Sequence, residues 1–167
     1  AYNWAIWGGD SRLTPWLPKR LMKTVHKSVL IWYSPQEMFA LVTDVPSYPQ
    51  FLPWCDHAQV LEQHADGVTA EVGFSLAGIK KSFVTRNTYE PGKRLQMQLV
   101  KGPFSHLQGD WQFHPVGDGS QRACRVELNL SYGFDSLALA AVVGPIFDKI
   151  AASMMDAFIQ RAEKVYG

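Results

Sequence analysis

Cys55, Asp56 and His57 stand side by side, and a thiol hydrolase uses these three side-chain types as nucleophile, orienting carboxylate and base. Adjacency argues against that use. Neighbours on an extended chain point to opposite sides, so the Asp56 carboxylate faces away from the thiol and the imidazole and the three groups do not converge. His106 and His114 fall opposite the apolar row of their segment, where exposure to solvent accounts for them. No group of His, Cys, Asp and Glu has metal-ligand spacing, and no glycine-rich phosphate loop or dinucleotide fingerprint occurs. The chemistry that is left is binding. Thr85, Asn87 and Tyr89 share an alternating row with Phe83, so a few polar groups project among dry ones, and Asn87 and Tyr89 are candidate donors to a ligand. The alternative is that they bond to backbone within a tapering sheet. Met97, Met154 and Met155 supply pliable surface, either for a flexible ligand or as ordinary filling.

The elements that must hold these residues follow from periodicity. Thr24 to Ile31 fits a strand. Ser34-Pro35-Gln36-Glu37 announces a helix with a capping box, and Met38, Phe39, Leu41 and Val42 form its apolar side. Val68, Ala70, Val72, Phe74 and Leu76 then alternate with polar residues, as do Phe83 to Tyr89, Leu95 to Leu99, Leu107 to Phe113 and Cys124 to Phe134. Ala77-Gly78, Pro91-Gly92-Lys93 and Gly117-Asp118-Gly119-Ser120 are the turns between them. This is a meander of antiparallel strands sharing one apolar face. From Leu139 to Val165 apolar residues recur every three or four positions, which predicts one long amphipathic helix across the sheet, kinked or split at Gly144-Pro145.

Composition sets the bounds. A chain of 167 residues suits one domain. Its 16 Lys and Arg nearly balance 15 Asp and Glu, so no basic field calls for DNA. Arg12, Lys19 and Arg20 against Asp10 put the surplus in the first 21 residues. Two cysteines make no disulfide framework and fit a reducing compartment. No unbroken apolar run approaches the roughly 20 residues of a membrane span. Residues 1–21 carry half of the six tryptophans without helical or alternating period. They lack the features of a secretory or organelle leader, and they read as an appendage foreign to the domain or as an arm lying on an apolar groove, with the domain proper at 22–167.

One segment is harder to explain by packing. Val45-Pro46-Ser47-Tyr48-Pro49-Gln50-Phe51-Leu52-Pro53-Trp54-Cys55 spends four large apolar side chains where three prolines forbid regular structure. It resembles the V-x-x-Y-P-x-F-L-P-W-C motif of the coenzyme-Q-binding, polyketide-cyclase-like family. Ala77-Gly78-Ile79, Phe83, Thr85, Arg86 and Asn87, then Gly102-Pro103-Phe104, Leu107, Gly109, Trp111 and Phe113, and finally Ala157-Phe158 and Arg161-Ala162 extend the likeness. The resemblance implies an α+β helix-grip (START-like) fold, a curved antiparallel sheet wrapped around a long C-terminal helix with two short helices after the first strand. Pro145 departs from the pattern.

The resemblance also implies an apolar cavity beneath the long helix. Its expected lining is Tyr48, Phe51, Leu52 and Trp54 from the proline segment, Phe74, Phe83, Asn87, Tyr89, Met97 and Trp111 from the sheet, and Phe147, Met154 and Phe158 from the helix. The competing expectation is that these side chains plug an ordinary core. With a cavity, the leading expectation is a non-enzymatic carrier or chaperone for a prenylated lipid, ubiquinone first, supporting respiratory electron transport. Enclosing about 400 Å² of apolar tail at roughly 25 cal/mol per Å² gives about 10 kcal/mol before ordering costs. Such a protein would be cytoplasmic, with transient contact at the inner face of the membrane. The family also contains bacterial ribosome-association toxins, which implies binding to the large ribosomal subunit and a block of subunit joining. Lys80, Lys81, Lys93, Arg94 and Lys101 are the basic residues available for it. A cyclase or hydrolase, which this fold also hosts, lacks a convergent acid and base here.

Overall fold

The computed structural model describes residues 22–167, so the expectations for the tryptophan-rich opening lie outside the described residues. Strand β1 (Lys23–Ile31) leads to helix α1 (Pro35–Thr43). The Ser34 hydroxyl accepts from the Glu37 amide at 3.1 Å, and the Glu37 carboxylate accepts from the Ser34 amide at 2.8 Å, the reciprocal cap expected from the sequence. Met38, Leu41 and Val42 form its buried side.

The proline segment is more regular than anticipated. Val45–Gln50 is a 3-10 helix, whose tighter turn accommodates Pro46 at its start and Pro49 within it. Three backbone bonds then fix the chain. The Leu52 amide donates to the Tyr48 carbonyl (2.9 Å), Cys55 to Leu52 (2.9 Å), and Ser75 on the sheet to Trp54 (2.8 Å).

Six strands follow: β2 (Cys55–His64), β3 (Gly67–Leu76), β4 (Ile79–Glu90), β5 (Arg94–Lys101), β6 (His106–Pro115) and β7 (Cys124–Gly133). They join β1 in one antiparallel sheet of order β1-β7-β6-β5-β4-β3-β2. Ala77 and Gly78, with φ of +53° and +81°, form the two-residue hairpin turn whose twist matches the flanking strands. Strand β2 is absent from the alternating rows of the sequence. Only its first residue, Cys55, is buried, and register shifts at Cys55/His57 and Val60/Glu62 break its pleat. Its inner side adds only the half-buried Ala58 and Val60, too little for an apolar row to show in the sequence.

Helix α2 (Leu137–Tyr166) closes the sheet, capped by the Ser136 hydroxyl on the Leu139 amide at 3.1 Å. The expected split at Gly144-Pro145 is not there: one helix runs through Pro145. Ala141 and Pro145 both face solvent, so water can satisfy the carbonyl that Pro145 leaves without an amide partner. Val143, Ile146, Phe147, Ile150, Met155 and Phe158 face the sheet and join Phe74, Leu128 and Tyr132 in the core. By length and composition α2 contains an 18-residue stretch apolar enough to cross a membrane, and 33% of that stretch is buried.

Candidate functional site

Between α2 and the sheet a cavity of about 50 Å³ remains, lined by Tyr48, Leu52, Trp54, Phe83, Asn87, Met97, Trp111, Phe147, Met154 and Phe158 among others. These ten expected residues therefore converge. Tyr48 meets Phe158 edge to face at 5.7 Å between ring centroids, and Trp111 meets Phe158 at 5.3 Å. Phe51 stands outside, on a groove of about 380 Å³ between the proline segment and α2. Its ring lies under the Arg161 guanidinium, 4.9 Å from the centroid. Phe74 is behind the wall, packed on Phe83 and Phe147. Tyr89 is drawn to the far end, against Phe39 at 5.7 Å and beside the satellite cluster of Val45, Val68 and Ala70. The wall also includes Val45, Ala70, Val72, Thr85, Leu107 and Leu130. Ala70 and Val72 share the row of Phe74, and Leu107 that of Trp111, so the same alternation marked them.

The hollow is in the expected place but small, about a third of the roughly 150 Å³ that holds a benzene-sized guest. Met97 fills part of it. On β6, Gly109 faces inward beside Met97 and Leu130, and a Cβ there would come within 2.3 Å of the Met97 Cε.

Polar groups in this wall are few and mostly committed. The Thr85 hydroxyl donates to the Asn87 Oδ1 at 2.7 Å, with both residues buried. The Tyr48 hydroxyl donates to the Val42 carbonyl of α1, and burial pushes its phenol up, so it stays a neutral donor turned away from any ligand. The Trp54 indole N–H is different: it is buried and has no acceptor among the described residues. Trp54 lines both the inner cavity and the outer groove, so it is the partition between them.

The thiol–imidazole pair does not form a nucleophilic centre. Cys55 is buried, and burial pushes its thiol up to about 11. His57 lies on the outer face against Gly73, where a Cβ would come within 2.1 Å of its ring, and it contacts Asp56 at 2.9 Å. His106 and His114 also lie on that face, bonded to Ser131 at 2.8 Å and to Glu127 at 3.1 Å.

The basic residues expected to act together are split by the register. Val84 pairs with Lys101, and Glu90 with Arg94, so Lys80, Lys81 and Lys101 stand at one end of β4, and Lys93 and Arg94 at the other. Arg94 is neutralised besides, by a two-pronged bond to Asp110 at 2.9 and 3.0 Å. Between the two ends, an open trough of about 590 Å³ crosses the outer face, lined by Gln96, Gln98, Gln108, Asn129 and Ser131 without a surplus of positive charge.

Residues 31–159 match the family described as polyketide cyclase / dehydrase and lipid transport. Among individual proteins, the chain is 44% identical over 146 residues to the ribosome association toxin RatA of Vibrio cholerae, covering 87% of this chain and 99% of that one. It is 27% identical over 142 residues to the coenzyme Q-binding protein COQ10 homolog B of Xenopus laevis mitochondria, covering 84% of this chain and 58% of that one. A START superfamily protein from Mycobacterium smegmatis superposes with a TM-score of 0.69 at 21% identity, covering 85% of this chain and 98% of that one.

Proposed function

The chain belongs to the polyketide cyclase / dehydrase and lipid transport family, and from that premise we propose that it is a ribosome-associating protein of the toxin type, which binds the large ribosomal subunit and hinders subunit joining. The observation that carries this reading is the 44% identity to a ribosome association toxin along nearly that protein's whole length. The small cavity agrees with it, because a surface-acting protein needs no room for a large guest. The contact is made from one end of the sheet, by Lys80, Lys81 and Lys101, since the balanced trough offers little to a phosphate backbone. In sucrose gradients the protein is expected to travel with isolated large subunits and to reduce joined ribosomes. The K80E/K81E/K101E variant should lose this behaviour, whereas K93E should keep it. Protein that stays at the top of the gradient with large subunits present at low salt overturns the proposal.

A second reading rests on the unpartnered Trp54 N–H in a largely apolar wall that also holds the Thr85–Asn87 pair. A prenylated ligand with a carbonyl, such as ubiquinone, would accept that hydrogen bond while its tail takes the dry surface. Ligand sites commonly span about 300–1,000 Å³, so the partition at Trp54 must swing to join the cavity to the outer groove. Organic extraction and native mass spectrometry of the purified protein should then reveal a quinone. Empty preparations that also refuse added ubiquinone sink this reading and leave the ribosomal one standing.

A further inference from the structure

The first turns of α2 expose an uninterrupted apolar stripe. Leu137, Ala138, Ala141, Val142 and Pro145 recur at helical spacing and all face solvent, Leu137 with 75% and Val142 with 53% of its surface exposed. The other side of the same turns is apolar as well, because Val143, Gly144 and Ile146 are buried toward the sheet. From Leu137 to Phe147 no side chain carries a charge or a hydrogen-bonding group. A helix apolar on every side calls for an apolar neighbour on its outer face too.

The surroundings select the neighbour. Phe104, in the loop after β5, packs on Phe134 at 5.3 Å and on Phe147 at 4.9 Å, which brings that loop to the start of α2. Val100, 54% exposed, and Lys101 lead into this loop. Lys81 stands at the same end of the sheet, and Lys149 ends the stripe one turn past Pro145. None of the three lysines has a carboxylate partner among the described residues. Asp135 is the single acidic side chain just before the helix. The rim supplies the discriminating feature, since its unpaired charge is positive and the strip has no polar side chain of its own to specify a protein partner. A greasy ridge rimmed by unpaired lysines matches a layer of acyl chains beneath negative head groups.

We propose that residues 137–145 form a lipid-surface contact, with Leu137 and Val142 immersed at the acyl boundary and Lys81, Lys101 and Lys149 on anionic head groups. Nine helical residues make a contact about 13 Å long, enough to lie in the interface and too short to cross it. The immersed turns adjoin Phe147, which walls the inner cavity, so the contact faces the end of the fold nearest that hollow. This goes beyond the ribosomal reading and has its own readout.

The experiment is flotation of the full chain with vesicles of phosphatidylcholine mixed with phosphatidylglycerol, against phosphatidylcholine alone. Binding is expected to require the anionic lipid and to weaken with salt. L137E/V142E should reduce partition about ten-fold or more, and K81E/K101E/K149E similarly, with loss of the salt dependence. Circular dichroism checks that each variant stays folded, which exposed positions permit. W32S, a change at the exposed Trp32 on the far end of β1, should leave binding unchanged. Three outcomes overturn the proposal: no binding to anionic vesicles, binding unaltered in L137E/V142E and thus carried by another segment such as residues 1–21, or self-association or ribosome binding that L137E/V142E abolishes while vesicles are ignored.

Discussion

Thr85 and Asn87 show how a single buried hydrogen bond disciplines an apolar wall. Their side chains satisfy one another at 2.7 Å, with only 3% and 4% of their surfaces exposed. T85V removes the donor and leaves the Asn87 oxygen without it, so it is expected to cost about 1–3 kcal/mol in urea unfolding. T85V/N87L removes both groups and should recover part of that loss, because neither apolar replacement carries a polar group to be satisfied. Losses that simply add would show that the pair is not coupled. The sequence exposed this pair as polar residues on a dry row, yet it could not tell a ligand contact from a mutual bond. That distinction depends on rotamers, which alternation does not encode. Phe51 illustrates the same limit: it does lie against Tyr48 and Phe158, but on the side of the outer groove and not of the cavity.

Among elements, legibility followed burial. Rows with one dry face were readable from β3 to β7, and the Ser34–Glu37 cap marked α1, because each pattern is imposed by the face that leaves water. Strand β2 left little trace, because past Cys55 its inner side is only half covered, at Ala58 and Val60. Pro145 is the opposite case. Its lost amide suggested a kink or a split, and the split does not occur: Ala141 and Pro145 face solvent, and the buried side of the helix continues past them. P145A restores an amide to the Ala141 carbonyl and should stabilise the protein by about 1–3 kcal/mol, with slower hydrogen exchange in the first turns of α2. An unchanged unfolding midpoint would mean that local adjustment already absorbs the proline.

On the scale of the whole molecule, the decisive quantities were those that no linear pattern holds. The order β1-β7-β6-β5-β4-β3-β2 sends Lys80, Lys81 and Lys101 to one pole and Lys93 and Arg94 to the other, although they are close in sequence. The motif indicated a hollow, and ten of its expected residues do converge, but its volume depends on how far Met97 and its neighbours reach inward. Long-range ties are equally invisible in sequence. Arg122, just before β7, donates to the Glu37 carboxylate at 2.9 and 2.7 Å, and the Tyr166 hydroxyl donates to the Glu37 carbonyl at 2.9 Å. The Arg122 hydrogen bonds lower the Glu37 carboxyl from 4.5 to about 2. Its depressed value contributes stability that is present above pH 4.5 and fades as pH falls toward 2. R122M should therefore lower the urea midpoint modestly near neutrality, because half the guanidinium is in water, and the gap to wild type should close across that acidic interval in urea titrations. A gap constant with pH would exclude this origin.

The Tyr166–Glu37 tie holds the final turn of α2, whereas the helix's first two turns overhang with one side bare. Asp148, bonded to Tyr132 and Lys23, pins the middle of the rod, so the free edge lies ahead of it and thermal deflection is greatest at Leu137. Losing the Asp148 carboxylate would thus be felt as amplitude at that tip, whereas a side-chain change at Glu37 leaves the Tyr166 bond, made to its backbone, in place.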